Sequence, residues 1–198
     1  MKGTKFAFER WKIVAFSALA VGMMLAVIWS IYGVGEPGMR VAIRATARTS
    51  CVLFIIAFVA AALCRLWPNT FTQWLLKNRR YFGLSMAVSH TYHAIAWSGL
   101  WLATSGTSPK FDPLGILGYV FLFAMTVTSF DRPAAWIGKR AWKILHNAGM
   151  HYFWLAFIFE FGTKIFKSIP IYLPLTVLLV AAMILRLVSP RMQRKLVV

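Results

Sequence analysis

Carboxylates are scarce in this chain: five Asp and Glu in 198 residues, against 22 Lys and Arg. Only Glu160 comes close to an intramembrane position, which disfavours a proton relay built on intramembrane carboxylates. Cysteine is rarer still. Cys51 and Cys64 stand thirteen residues apart in one apolar run, without CxxC or zinc-type spacing. A disulfide within one helix is geometrically excluded at that separation, so both read as small packing residues. A transition-metal site would normally recruit cysteines or carboxylates beside its histidines, and neither lies near the four histidines here. A Gly-rich nucleotide fingerprint is also missing, as are repeats, low-complexity tracts and room for a flavin or nicotinamide domain.

What the chain has is apolar length. Sixty per cent of its residues are hydrophobic and its mean hydropathy is +0.67, whereas soluble domains run about 45–50% apolar. The expected class is an all-α integral membrane protein. The net charge of +17 does not imply nucleic acid, because the basic residues fall between apolar runs rather than on one patch. That is how membrane proteins set orientation and hold anionic headgroups. The bilayer itself is the first partner.

Residues 13–35 run uncharged, longer than a signal-peptide core of about 7–15 residues and without a small-x-small cleavage site after them. A retained first helix is expected, broken by Gly35-Glu36-Pro37-Gly38. Further apolar runs give six expected spans in one domain covering 1–198: roughly 13–34, 49–67, 81–104, 113–130, 142–161 and 168–188. With six spans, the side holding the N-terminus, the second and fourth connectors and the tail carries 16 of the 22 basic residues. The positive-inside rule then predicts both termini in the cytoplasm and a multi-pass protein of the inner (plasma) membrane. Arg40, Arg44 and Arg48 run against the trend on the outer side, spaced by four and hence on one stripe if helical. Haem propionates or an anionic carrier would suit them, and lipid headgroups would suit them equally.

All four histidines, His90, His93, His146 and His151, fall in the third and fifth runs. In hydrocarbon an unsatisfied polar group costs roughly several kcal/mol, so imidazoles at that depth are functional candidates. A haem needs only neutral imidazoles, room for a flat ring and basic groups for its propionates, and it fits this inventory best. His90 and His93 share a helix face. His146 and His151 differ by roughly 140°, so both cannot serve one ring. Gly149, near the face of His146, would clear space for a ring edge and favours His146. Height favours His151: counted from the basic ends at about 1.5 Å per residue, His90 and His93 lie about 15 and 20 Å up, His151 about 12 Å, and His146 about 4–5 Å. The alternative is a non-redox transporter or assembly subunit whose histidines pack or handle protons.

Arg79-Arg80-Tyr81-Phe82-Gly83-Leu84 followed by His93 resembles the RRxxGL…H helix of the ferric-reductase-like transmembrane family. Thr128-Ser129, Gly138-Lys139-Arg140 and Trp142-Lys143-Ile144-Leu145-His146-Asn147 resemble that family's TS…GKRWxxLHN entry into its fifth helix, with Ala141 as one extra residue. The MsrQ (YedZ-type) haem subunits of bacteria are the branch it is most similar to. The resemblance implies b-type haem held by His93 and His146, with electrons carried across the membrane. The donor would be a separate flavin reductase or quinol, and the acceptor a periplasmic redox partner. No covalently bound flavin is expected, and the chain would be an oxidoreductase subunit. The family's second histidine on the fifth helix corresponds to Phe159 here, which implies one haem rather than two.

Overall fold

The structure, a computed structural model, describes residues 8–109 and 112–195, with side chains as far as residue 189. The basic residues Lys2, Lys5 and Lys110, and the side chains of the basic tail, lie outside the described residues. The fold is all-α: α1 (Trp11–Tyr32), α2 (Glu36–Leu66), α3 (Thr70–Ala103), α4 (Pro113–Val127), α5 (Asp131–Gly162) and α6 (Ile169–Lys195), with a 3₁₀ turn (Ile165–Lys167) before the last.

Several helices run past the expected spans into the basic connectors. Gly33, at φ 73°, ends α1, and α2 then starts at Glu36 with Pro37 in its first turn. An acidic residue and a proline both suit a helix N-terminus, so the Arg40–Arg48 stripe is helical. A capping box on Asn69 and Thr72 starts α3 eleven residues ahead of its apolar run. In α5 the connector is helical too, but Gly138 (φ 78°, ψ 157°) interrupts it. That backbone region is open to glycine and strained for other residues.

Contacts at the helix ends place alternate termini together. The Arg10 N–H donates to Asn78 Oδ1 (2.9 Å), Lys77 pairs with Glu9 (2.9 Å) and Arg80 with Asp131 (3.2 Å). Arg186 Nη2 donates to Asn147 Oδ1 (3.2 Å). The starts of α1, α3 and α5 thus share a pole with the end of α6. At the other pole Arg40 reaches Ser108 (3.3 Å), and the Arg48 guanidinium lies 5.7 Å over the Tyr172 ring.

Among the described residues three helices are long and apolar enough to cross a membrane: α1, α2 and the 169–189 part of α6. A fourth span arises if Pro113–Val127 and Asp131–Lys167, which meet at 111°, are one bent crossing. The remaining shortfall from six has physical causes. Ser85, Ser89, His90, Thr91 and His93 dilute the hydropathy of α3, while α4 has only 15 residues, about 22 Å. Helix α3 can carry that polarity because α1, α2 and α4 all pack on it. Along α1, by contrast, Phe16, Leu19, Met23 and Ile31 are each more than 60% exposed. An outside this apolar needs lipid around it.

Two packing modes hold the bundle. Gly38, Ala42, Thr46 and Ser50 form a buried small-residue row on α2, and Ser85, Ser89 and Ala96 answer it on α3. Small residues at four-residue spacing let helix backbones approach closely, as in membrane helix pairs generally. Further round α2, Phe54 and Phe58 join Phe153, Phe157 and Phe161 of α5 and Leu179 of α6 in an aromatic core.

The turn between α1 and α2 gives a direct test. A Cβ on Gly38 would sit 1.8 Å from the Gly33 carbonyl oxygen, whereas one on Gly83 would meet nothing within 4 Å. Gly38→Ala should therefore lower stability by about 1–3 kcal/mol through forced backbone movement. Gly83→Ala should cost nothing and gain up to about 1 kcal/mol of helix propensity. Thermal midpoints of the two variants in one detergent check this; equal midpoints would refute the packing assigned to Gly38.

Candidate functional site

The α2–α3 interface carries a ladder of polar contacts that ends on an imidazole. Ser50 Oγ donates to Ser89 Oγ (3.0 Å), and Ser89 in turn reaches the Thr46 carbonyl (3.4 Å). One turn on, His93 Nδ1 lies 3.1 Å from the Ile43 carbonyl oxygen and 3.1 Å from Thr46 Oγ1. A carbonyl only accepts, so Nδ1 carries the proton. The hydroxyl of Thr46 is itself directed at the Ala42 carbonyl (2.7 Å), leaving its lone pairs toward the imidazole. His93 thereby carries a proton on Nδ1 and is oriented from that side, which leaves Nε2 as the nitrogen that could ligate. Histidines that bind metals are commonly oriented in this way, through the other ring nitrogen.

His90 stacks on His93, ring centroids 5.0 Å apart and planes 19° apart. Its other neighbours are Tyr119 of α4 at 5.2 Å and Phe153 and Phe157 of α5 at 6.2 and 6.3 Å. Its Nδ1 is buried without a hydrogen-bond partner. A buried orphan of this kind calls for an explanation, and an unfilled ligand contact is one.

On α5 the two histidines have opposite assets. His146 lies two turns before Phe153, on the same face, which is the face turned to His90. Its Nε2, however, is 3.1 Å from Thr128 Oγ1, and that hydroxyl donates to the Ala124 carbonyl (2.6 Å), so Nε2–H is the donor to it. The ring also stacks on Trp142 at 4.3 Å, and Trp142 Nε1–H donates to the Thr128 carbonyl (2.9 Å). His151 has the free tautomer: its Nδ1 lies 2.7 Å from the Asn147 carbonyl. Its ring, though, packs edge-on against Phe58 of α2 at 6.1 Å.

The α3 histidines lie level with Phe153 and Phe157, which places His146 about 10–16 Å nearer the Arg80 pole at 1.5 Å per residue. Among the described residues α3 and α5 are not a closely packed backbone pair; side chains of Phe153, Phe157 and Phe54 fill the space between them and α2. Gly149 is buried on the α4 side, where the Met125 thioether and Phe121 occupy the notch left by its missing Cβ. Arg44 and Arg48 stand level with His93, beside Ile43 and Thr46, but lie about 160° round α2 from the neighbouring residues of the row that meets α3. Arg44 is exposed, and Arg48 covers Tyr172.

The structure thus brings His90 and His93 together, and leaves His146 and His151 on separate faces of α5. Sequence reasoning missed Ile43, Thr46 and Ser89, which orient His93. Their signal was present in the four-residue spacing of Gly38, Ala42, Thr46 and Ser50.

Comparison with known proteins points the same way. The chain is 27% identical over 158 residues to the protein-methionine-sulfoxide reductase heme-binding subunit MsrQ of Cronobacter sakazakii (strain ATCC BAA-894), covering 69% of this chain and 77% of that protein. The similarity is distant, but at 158 residues it extends well beyond the short motifs of the third and fifth helices. No protein-family model matches the chain, and no solved structure matches it.

The two α3 imidazoles should respond oppositely to removal. His93→Phe strips a donor from the Ile43 carbonyl and should cost about 1–3 kcal/mol. His90→Phe removes only an orphaned nitrogen from among aromatic rings and should leave the stability of the cofactor-free chain unchanged or raised. Thermal midpoints of the two variants decide it: a larger loss at His90 would mean that its polar atom has a partner.

Proposed function

We propose that this protein is the haem b-binding, electron-transferring subunit of a membrane redox system. One haem would be held at the α3 histidines, with His93 supplying a ligand nitrogen. The observation that carries this reading is the His93 imidazole, oriented through Nδ1–H by the Ile43 carbonyl with Thr46 beside it, so that Nε2 is the nitrogen turned away from that contact. The residues present fit the group: two adjacent imidazoles, a buried His90 nitrogen without a partner, and aromatic walls from Phe153, Phe157 and Tyr119. Similarity to a heme-binding subunit adds support.

The chain's own residues do three things in this reading. Ile43 and Thr46 fix the ring angle and raise the basicity of the ligating nitrogen. Phe54, Phe153 and Phe157 keep water out and lower the local dielectric, one of the means by which a protein tunes redox potential. The second ligand would come from α5: His151, close in height to Phe153, would have to turn from Phe58, whereas His146 would have to leave Thr128 and also close a height difference of about 10–16 Å. When bound, the haem iron supplies one-electron redox chemistry, which no side chain here provides.

Six crossings, with both termini in the cytoplasm, place the Arg79, Arg80, Lys139 and Arg140 pole where a separate flavin reductase could dock. Quinol is the other donor of suitable chemistry. Electrons would leave at the opposite pole, where His93, Arg44 and Arg48 stand level, toward a periplasmic redox partner. The membrane is then the inner membrane, and 1–198 acts as one ferric-reductase-like domain.

Protein produced with ample haem should purify with a b-type absorption spectrum that shifts on reduction by dithionite. A colourless preparation would overturn the proposal. His93→Ala should abolish the spectrum; loss only in His90→Ala would transfer the ligand role one turn down. Of His146→Ala and His151→Ala, the variant that turns low-spin haem high-spin identifies the α5 ligand.

A further inference from the structure

Every side-chain carboxylate in this chain is already engaged. Glu9 pairs with Lys77, Glu36 with Arg40, Asp131 with Arg80 and Glu160 with Lys164, while Asp112 caps the first turn of α4. Arg65, Arg79 and Arg186 therefore have no carboxylate left to neutralise them. They nevertheless converge. Arg65 near the end of α2 and Arg79 in the third turn of α3 line one cleft of about 640 Å³, together with Ala61, Cys64, Pro68 and Leu76. Arg186 of α6 lies within electrostatic reach of both. It is half-buried and held in place, with its guanidinium 4.4 Å over the Phe58 ring and Nη2 bonded to Asn147.

Three like charges gathered from three helices repel one another, and among the described residues no side-chain carboxylate is free to offset this. A bound anion would. Guanidinium groups match the tetrahedral oxygens of phosphate with paired N–H donors. Basic pockets between membrane helices on the cytoplasmic side are suited to anionic lipid headgroups. We propose that the cleft between the end of α2 and the start of α3, completed by Arg186, binds an anionic phosphate group. The apolar lining by Ala61, Pro68 and Leu76 suits the glycerol and upper acyl carbons of a phospholipid, whereas a free phosphate would use the arginines alone.

The test uses the full chain in a zwitterionic detergent at fixed ionic strength. Its thermal midpoint is followed while dioleoylphosphatidylglycerol, dioleoylphosphatidylcholine or inorganic phosphate is added. Phosphatidylglycerol should raise the midpoint saturably, and phosphatidylcholine should not. The Arg65→Gln/Arg79→Gln variant should need at least tenfold more lipid for half the shift, and Arg132→Gln should behave as the parent. If inorganic phosphate reproduces the shift, and the double variant loses that as well, the site stands with a soluble phosphate as its ligand. A shift equal for both lipids, or retained in the double variant, overturns the proposal. Should that variant not fold, native mass spectrometry of the parent protein decides independently: preferential retention of phosphatidylglycerol supports the site, and equal retention of both lipids overturns it.

Discussion

A polar group inside a bundle of membrane helices has no water to fall back on, and that constraint organises the α2–α3 interface. Ser50, Ser89, Thr46 and His93 satisfy one another and two backbone carbonyls in a continuous run. Each such interhelical bond contributes only about 0.6 kcal/mol on average. Their effect is on position more than on energy. They can form only at one register of α2 against α3, and the row of small residues beside them lets the two backbones come close enough. Once that register is set, the orientation of the His93 ring follows from it.

The rest of the bundle is arranged around this pair with less constraint. Helices α5 and α6 meet α2 largely through aromatic rings and apolar side chains, which tolerate sliding better than hydrogen bonds do. The contrast bears on the second ligand. His93 is held by partners on another helix, whereas His151 is held by its own helix and His146 by the end of α4. In the proposed haem site, a rigidly held His93 and a less constrained histidine on α5 would let the fifth helix settle on whatever the third presents.

Much of this was legible in the sequence, for definite reasons. The runs between basic clusters mark the helices because a membrane protein must separate apolar length from charge. The histidines stand out because imidazole is costly at that depth. Two things were not legible. The helices extend beyond the apolar runs, since α2 and α3 start at capping signals around Glu36 and Asn69, not where charge ends. Nor does the spacing along α5 show which histidine is available, because that depends on partners in other elements, Thr128 for His146 and Phe58 for His151. A periodicity gives faces and heights; it does not give the neighbour that occupies a nitrogen.

Electrostatic scarcity ties the two ends of the molecule together. With five carboxylates, four in ion pairs and one capping a helix, the fold has no acid to place among its remaining cations. A soluble domain with this imbalance would be destabilised by its own repulsion. Here most of the cations sit near helix ends, in reach of headgroups, with Arg44 and Arg48 the exceptions, while the contacts between α2 and α3 are made by hydroxyls and an imidazole. In the proposed haem site the fixed charges nearest to His93 in height would be Arg44 and Arg48, and both lie on the far side of α2 from α3.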